Sequence, residues 1–132
     1  MLNRVFLLGN LTRDAETVSG AQTTMTRMRL ATHVNWRDPS GEWQRRSEFH
    51  SLVAFGDLAE RCALTCTKGR RIYVEGHIRT REFTGADSLR RWSTEIIADS
   101  IKTLDRAHDE PLDADPEVEA NGARPVVVGT AP

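Results

Sequence analysis

Residues 47–83 read SEFHSLVAFGDLAERCALTCTKGRRIYVEGHIRTREF, and the order of elements within them decides the fold. The first nine residues, rich in apolar and aromatic side chains, predict a strand. Residues 57–69 change period. Leu58, Cys62 and Cys66 recur at every fourth position with Ala59 and Ala63 beside them, which makes one apolar stripe on a helix. Asp57 with Glu60 three residues later has the form of a capping box, and Gly69 with Lys68 before it reads as the helix end. Residues 70–83 return to strand character around Gly76, where a glycine suits a bulge or a bend at a barrel corner.

Working outward, residues 3–11 predict a first strand and residues 12–23 a polar loop. Residues 24–34 alternate, with Met28, Leu30, Thr32 and Val34 on one face and Arg27, Arg29 and His33 on the other. Asp38-Pro39-Ser40-Gly41 and Gly85-Ala86-Asp87 are turn signals. Residues 89–101 form the last strand, with Trp92 on the parity of Thr94, Ile96 and Ala98 and therefore expected in the core. The resulting order, three strands, a helix and two strands, is that of an all-β OB-fold: a five-stranded barrel with one helix between strands three and four.

Charge divides the chain at about residue 105. Residues 1–104 hold 16 Lys or Arg against 12 Asp or Glu, and residues 105–132 hold 2 against 7. The expected organisation is an OB-fold domain over 1–104 and an acidic tail over 105–132. Four of the five prolines lie in that tail, which has no periodic apolar face, so it is expected to be disordered. A basic body suits an anionic ligand.

Several function classes are disfavoured. No run approaches the ~20 apolar residues of a membrane span, and the apolar run at 5–8 is too short for a signal-peptide core. A cytoplasmic protein without membrane contact is expected. The chain has no P-loop, GxSxG motif or zinc-ligand set, so neither enzyme activity, nor a metal, nor a cofactor is expected. Cys62 and Cys66 are expected to be free thiols that pack along the helix; a bridge between subunits stays open.

Binding of single strands needs aromatic planes for bases and cations for phosphates. Phe49 and Phe55 are six residues apart on one strand face, about 20 Å at ~3.3 Å per residue. Their parity is compatible with a binding face or with the barrel interior. Arg79, Arg81 and Phe83 share a face that would make a poor core. Trp36, Arg37, Trp43, Arg45 and Arg46 crowd one polar hairpin. Trp36 falls on the apolar parity of Met28 to Val34, so a bulge or the end of regular pairing is needed to turn it outward.

These segments resemble a known family. RVFLLGNLTRDAE (4–16), LATHVNWRD (30–38), EFHSLVAFGDLAE (48–60), KGRRIYVEGHIRTREFT (68–84) and RRWSTEII (90–97) are similar, in order and spacing, to bacterial single-stranded DNA-binding proteins. The resemblance implies an OB-fold homotetramer that wraps single-stranded DNA in replication, recombination or repair, and a place on the nucleoid. It implies base stacking on Trp36, Phe49, Phe55 and Phe83, and phosphate contacts from Arg37, Lys68, Arg79, Arg81 and Arg91, with Arg45 and Arg46 nearby. His50 and Tyr73 match positions at subunit contacts. Ser51 and Asp57 depart from positions that are basic in some members, and Thr12 and Ala15 replace a Gly and a Pro. The ending VVVGTAP lacks the acidic Pro-Phe tip through which members recruit replication and repair enzymes, so weak or no recruitment and an accessory paralogue are expected. A primosome-type or RNA-binding OB-fold module is the alternative.

Overall fold

The computed structural model describes residues 1–19, 22–105 and 115–116. Among the described residues six strands and one helix follow in the order β1 (Val5–Leu11), β2 (Glu16–Ser19), β3 (Thr24–Arg37), β4 (Trp43–Phe55), α1 (Gly56–Thr65), β5 (Arg71–Thr84) and β6 (Arg90–Leu104). The neighbours run β1-β5-β6-β4-β3-β2. A β1–β3 contact at Asn10↔Ala31 and Leu11↔Leu30 closes the five long strands into a barrel. The parallel contact Leu52↔Ile96 and Val53↔Ile97 joins β4 to β6.

The closed five-stranded barrel with its helix is the expected OB-fold. The short strand β2 is a correction to the loop expected over residues 12–23. Glu16 to Ser19 pair with Arg27 to Thr24, using the edge of β3 just beyond the point where β1 leaves it.

Alternation fills the interior. Leu11, Met28, Leu30, Leu52, Ile72 and Val74 are fully buried, and each contributes about 1.5–3 kcal/mol of apolar burial. Helix α1 plugs one end with Ala59 and Cys62, and Cys66 just past it is buried as well. Within the chain the two thiols are not bridged to each other.

The capping box does not form. The N-cap is Phe55, with no side-chain cap bond, because β4 runs straight into the helix through Gly56 at a positive φ of 64°. Asp57 therefore lies inside the first turn, where its charge favours the helix dipole without capping. The helix ends at Thr65, and Gly69 instead turns the chain into β5.

The bulge expected at Gly76 is present. The β5–β6 register shifts between Glu75 and Gly76. A Cβ on Gly76 would meet the Ile97 carbonyl oxygen at 2.1 Å, so only glycine admits this approach. Gly9 is closed in the same way by the Ala31 carbonyl oxygen at 2.1 Å. Trp92 corrects another expectation. It pairs with Glu82 on the part of the β5–β6 hairpin that projects past the barrel, and it is half-buried rather than core. Arg90 lies over its ring at 5.5 Å.

Candidate nucleic-acid interface

The β3–β4 ladder is regular over its whole length, from Met25↔Phe55 to Arg37↔Trp43. Its pleat sorts the side chains into two faces. Met28, Leu30, Leu52 and Ala54 point into the barrel. The other face carries Arg27, Arg29, His33 and Arg37 from β3, and Trp43, Arg45, Phe49, Ser51, Val53 and Phe55 from β4. Phe49 is half-buried and Phe55 is 37% exposed, and neither belongs to the core cluster. The open choice between interior and surface is thereby settled in favour of the outer face.

Each aromatic on this face of β4 has an arginine over its ring. Arg29 lies 5.9 Å from the Phe49 centroid, Arg79 lies 5.7 Å from that of Phe55, and Arg37 lies 5.4 Å from that of Trp43. A guanidinium on one side fixes the ring plane and brings positive charge to its rim. Arg79 and Arg81 are positioned by the carboxylate of Glu95, at 2.5 Å and 3.5 Å. Glu95 is nearly buried, so it orders both guanidinium groups at the cost of part of their charge. Between these strands a shallow groove is lined by Arg13, Arg27, Ser51, Val53, Arg81 and Glu95.

Ser51 illustrates how charge is redistributed. Its ladder partner is Arg29, whose Nη1 donates to the Ser51 hydroxyl at 2.8 Å. The cation that the resemblance places at position 51 is supplied here from the opposite strand. The same guanidinium donates from Nε to Asp115 at 2.8 Å, and the Thr12 hydroxyl donates to that carboxylate at 3.3 Å. Asp115 is buried in this contact. Apart from Asp115 and Pro116, the expected acidic tail beyond residue 105 lies outside the described residues.

The remaining expected residues do not all gather. Phe83 and Arg91 are cross-strand partners on β5 and β6, on the parity of Arg79 and Arg81, and Asp87 holds Arg91 at the hairpin turn. Arg45 donates to His33 at 2.8 Å on the face of Phe49. Trp36 and Arg46 are different: no bulge interrupts the ladder, so they stay on the opposite face of the ribbon, with Arg46 over the Trp36 ring at 5.6 Å. Trp36 is nonetheless 40% exposed, because the ribbon has outrun the barrel at that point. Lys68 lies in the connection from α1 to β5, its backbone N–H held by Asp14, and is not among the strand arginines.

His50 and Tyr73 fall on two other surfaces. His50 is half-buried beside Thr32, 2.9 Å from its hydroxyl, and burial pulls its pKa below the ordinary 6.5. Tyr73 donates to Glu75, and that carboxylate pushes the phenol upward. Tyr73 pairs with Leu8, and Leu8 and Phe6 are 56% and 59% exposed on the outer face of β1.

The residues missed by sequence reading are Glu95, and Arg27 and Arg29 as members of the site. The signal for the two arginines was the parity of β3, but only the register of β3 against β4 puts them beside Ser51 and Val53, and Glu95 is placed by its pairing with Arg79 across β5 and β6. Among the described residues no His, Cys, Asp or Glu cluster is arranged to hold a metal, and no helix is long and apolar enough to cross a membrane.

Comparison with known proteins points the same way. The family model described as "Single-strand binding protein family" matches residues 2–104. The single-stranded DNA-binding protein of Xanthomonas campestris is 38% identical over 104 residues, covering 78% of this chain and 60% of that protein. Single-stranded DNA-binding protein 1 of Chlorobaculum tepidum is 36% identical over 107 residues, covering 78% and 65%. The chain thus spans about 60% of the length of the curated relatives it matches. Among solved structures, a Plasmodium falciparum SSB in complex with ssDNA superposes with a TM-score of 0.73 at 26% identity, covering 80% of this chain and 96% of that one. A deletion mutant of the single-stranded DNA-binding protein from Thermus aquaticus superposes with a TM-score of 0.71 at 26% identity, covering 79% and 51%.

Proposed function

We propose that this chain, which belongs to the single-strand binding protein family, binds single-stranded DNA without regard to sequence and without catalysis. The observation that carries the reading is the outer face of β4, where Phe49 and Phe55 lie beneath arginines drawn from β3 and β5. Every base has a π-face, so such rings accept any sequence, while the arginines follow the phosphates. Phe83 and Arg91 continue this track along β5 and β6, and Trp36, Arg46 and Lys68 serve flanking DNA as it leaves the face. The ligand places the protein on the nucleoid, where it shields single strands during replication, recombination or repair.

Assembly belongs to the same reading. Val5 to Leu8 keep one backbone edge of β1 free of the ladder partners described, and Phe6, Leu8 and Tyr73 leave an apolar surface beside it. An open edge next to exposed apolar side chains favours strand pairing between copies. A homotetramer is proposed, with His50 and Tyr73 near its contacts. Residues 1–104 act as the binding domain, and the acidic stretch beyond them as an appendage that competes for the arginines.

Titrating the full chain with labelled oligo-dT and oligo-U by fluorescence anisotropy tests the ligand class. Binding of oligo-dT that falls steeply with salt is expected. Preference for oligo-U would move the protein to the RNA-binding alternative, and failure to bind either would end the proposal.

A further inference from the structure

Trp43, Phe49 and Phe55 recur at six-residue intervals on one strand and one face. At ~3.3 Å per residue, successive rings stand about 20 Å apart. We infer that Trp43, with Arg37 over its ring, is a third base-stacking platform on β4, reached only by oligonucleotides that extend past Phe49 onto the β3–β4 ribbon. The inference rests on the proposed binding of single-stranded nucleic acid and assigns that ligand a longer track.

Four features of the ribbon support it. Trp43 is 69% exposed even with the Arg37 guanidinium against it, so ring surface remains for a base. Among the described residues of the ribbon, the face between Trp43 and Phe49 carries Arg45, Ser47, Asn35 and His33 and no carboxylate, whereas Glu48 lies on the opposite face. An anionic backbone therefore crosses from one ring to the next over cationic and neutral groups. The turn does not need Trp43: Asp38 holds it by accepting from the Ser40 and Glu42 amides at 3.0 and 2.9 Å and from the Gln44 side chain at 3.0 Å. The opposite face of the ribbon has its own aromatic cover in Trp36 under Arg46. A large apolar ring that neither caps the turn nor fills the core is placed to receive something from outside.

The repeat sets the length dependence. At about 3.4 Å per stacked nucleotide, 20 Å corresponds to about six nucleotides, and the span from Phe55 to Trp43 to about twelve. Full-length Trp43→Ala, Trp43→Phe and Phe55→Ala are compared with the parent chain against oligo-dT of about 7 and about 20 nucleotides. Trp43→Ala is expected to weaken the long oligonucleotide by about 5- to 150-fold, the range for loss of one base–aromatic stack, and to leave the short one unchanged. Trp43→Phe should recover most of the loss. In Trp36→Phe/Trp92→Phe, Trp43 is the only tryptophan of the three, and its emission should be quenched by the long oligonucleotide alone. Unchanged long-oligonucleotide affinity in Trp43→Ala, with Phe55→Ala impaired, overturns the third platform and leaves the proposed function standing. Equal losses on both lengths together with a lowered Tm make Trp43 a structural residue and overturn it as well. Absence of binding by the parent chain removes both.

Discussion

Phe49 and Phe55 share a strand and a face, yet they differ in how much of the fold depends on them. Phe55 is more than a third exposed and ends its strand at the start of α1, whereas Phe49 is half-buried beneath Arg29. Phe55→Ala is expected to weaken oligo-dT binding by ~1–3 kcal/mol with little change in Tm. Phe49→Ala should weaken binding by a similar amount and also lower Tm. Anisotropy and thermal melts on the same preparations separate the two effects, and unfolding of Phe55→Ala would return that ring to the core. His50 makes a second statement at this scale. Burial and the nearby Arg29 lower its pKa, and Glu48 opposes them. A folded-state pKa below the unfolded value of 6.5 means that stability is fully present above about pH 6.5. That stability is lost as pH falls through the lower folded value. Melts between pH 7.5 and about pH 5 should show a decline in Tm that is shallower in His50→Asn.

Among the elements, the long hairpins do two jobs with one alternation. Where β3–β4 and β5–β6 lie in the barrel, one face packs the core and the other faces outward. Beyond the barrel both faces are open, which is why Trp36 and Trp92 are not core despite their apolar parity. The bulge at Gly76 lets β5 and β6 bend between these regimes, and Gly76→Ala tests it. A Cβ there meets backbone, not a movable side chain. The substitution is expected to cost about 1–3 kcal/mol, the usual range for overpacking, read as a lower Tm. A variant as stable as the parent would show that the strands can part at no cost. Helix α1 is held by a different logic: with no side-chain cap, it depends on burying Ala59 and Cys62 against the barrel.

At the scale of the whole molecule, among the described residues the acidic segment meets the basic body at Asp115. Asp115 is buried against Arg29, the residue that lies over Phe49. DNA that uses this arginine must displace the carboxylate. Asp115→Asn should therefore tighten oligo-dT binding at low salt by about fivefold, equivalent to about 1 kcal/mol for a single ion pair. Deleting residues 109–132 should do so at least as strongly. Both gains should shrink at higher ionic strength, where screening shortens to about 8 Å near 0.15 M. Equal affinity of parent and variants at low salt would sever the segment from the binding face. Light scattering at micromolar concentration addresses assembly: a homotetramer is expected, and a monomer would leave Phe6 and Leu8 without a partner.

Much of this protein was written in local pattern. Alternation over residues 24–34 and the four-residue period in Leu58, Cys62 and Cys66 sufficed for the element order, because hydrophobic periodicity is a property of the chain alone. Arg79 and Arg81 were legible as candidate site residues for the same reason, and Phe49 and Phe55 as candidates whose face the alternation left open. The short strand β2 was not, since four residues with a single apolar side chain, Val18, become a strand only when the edge of β3 is there to pair with them. The failed capping box depended on β4 entering the helix directly through Gly56. Only the tertiary structure decided which arginine meets which ring, because Arg29 and Ser51, or Arg37 and Trp43, are neighbours through ladder register and not through sequence spacing. The same register kept Trp36 on the far side of the ribbon and turned Trp43 toward Phe49, a distinction that residue type cannot make.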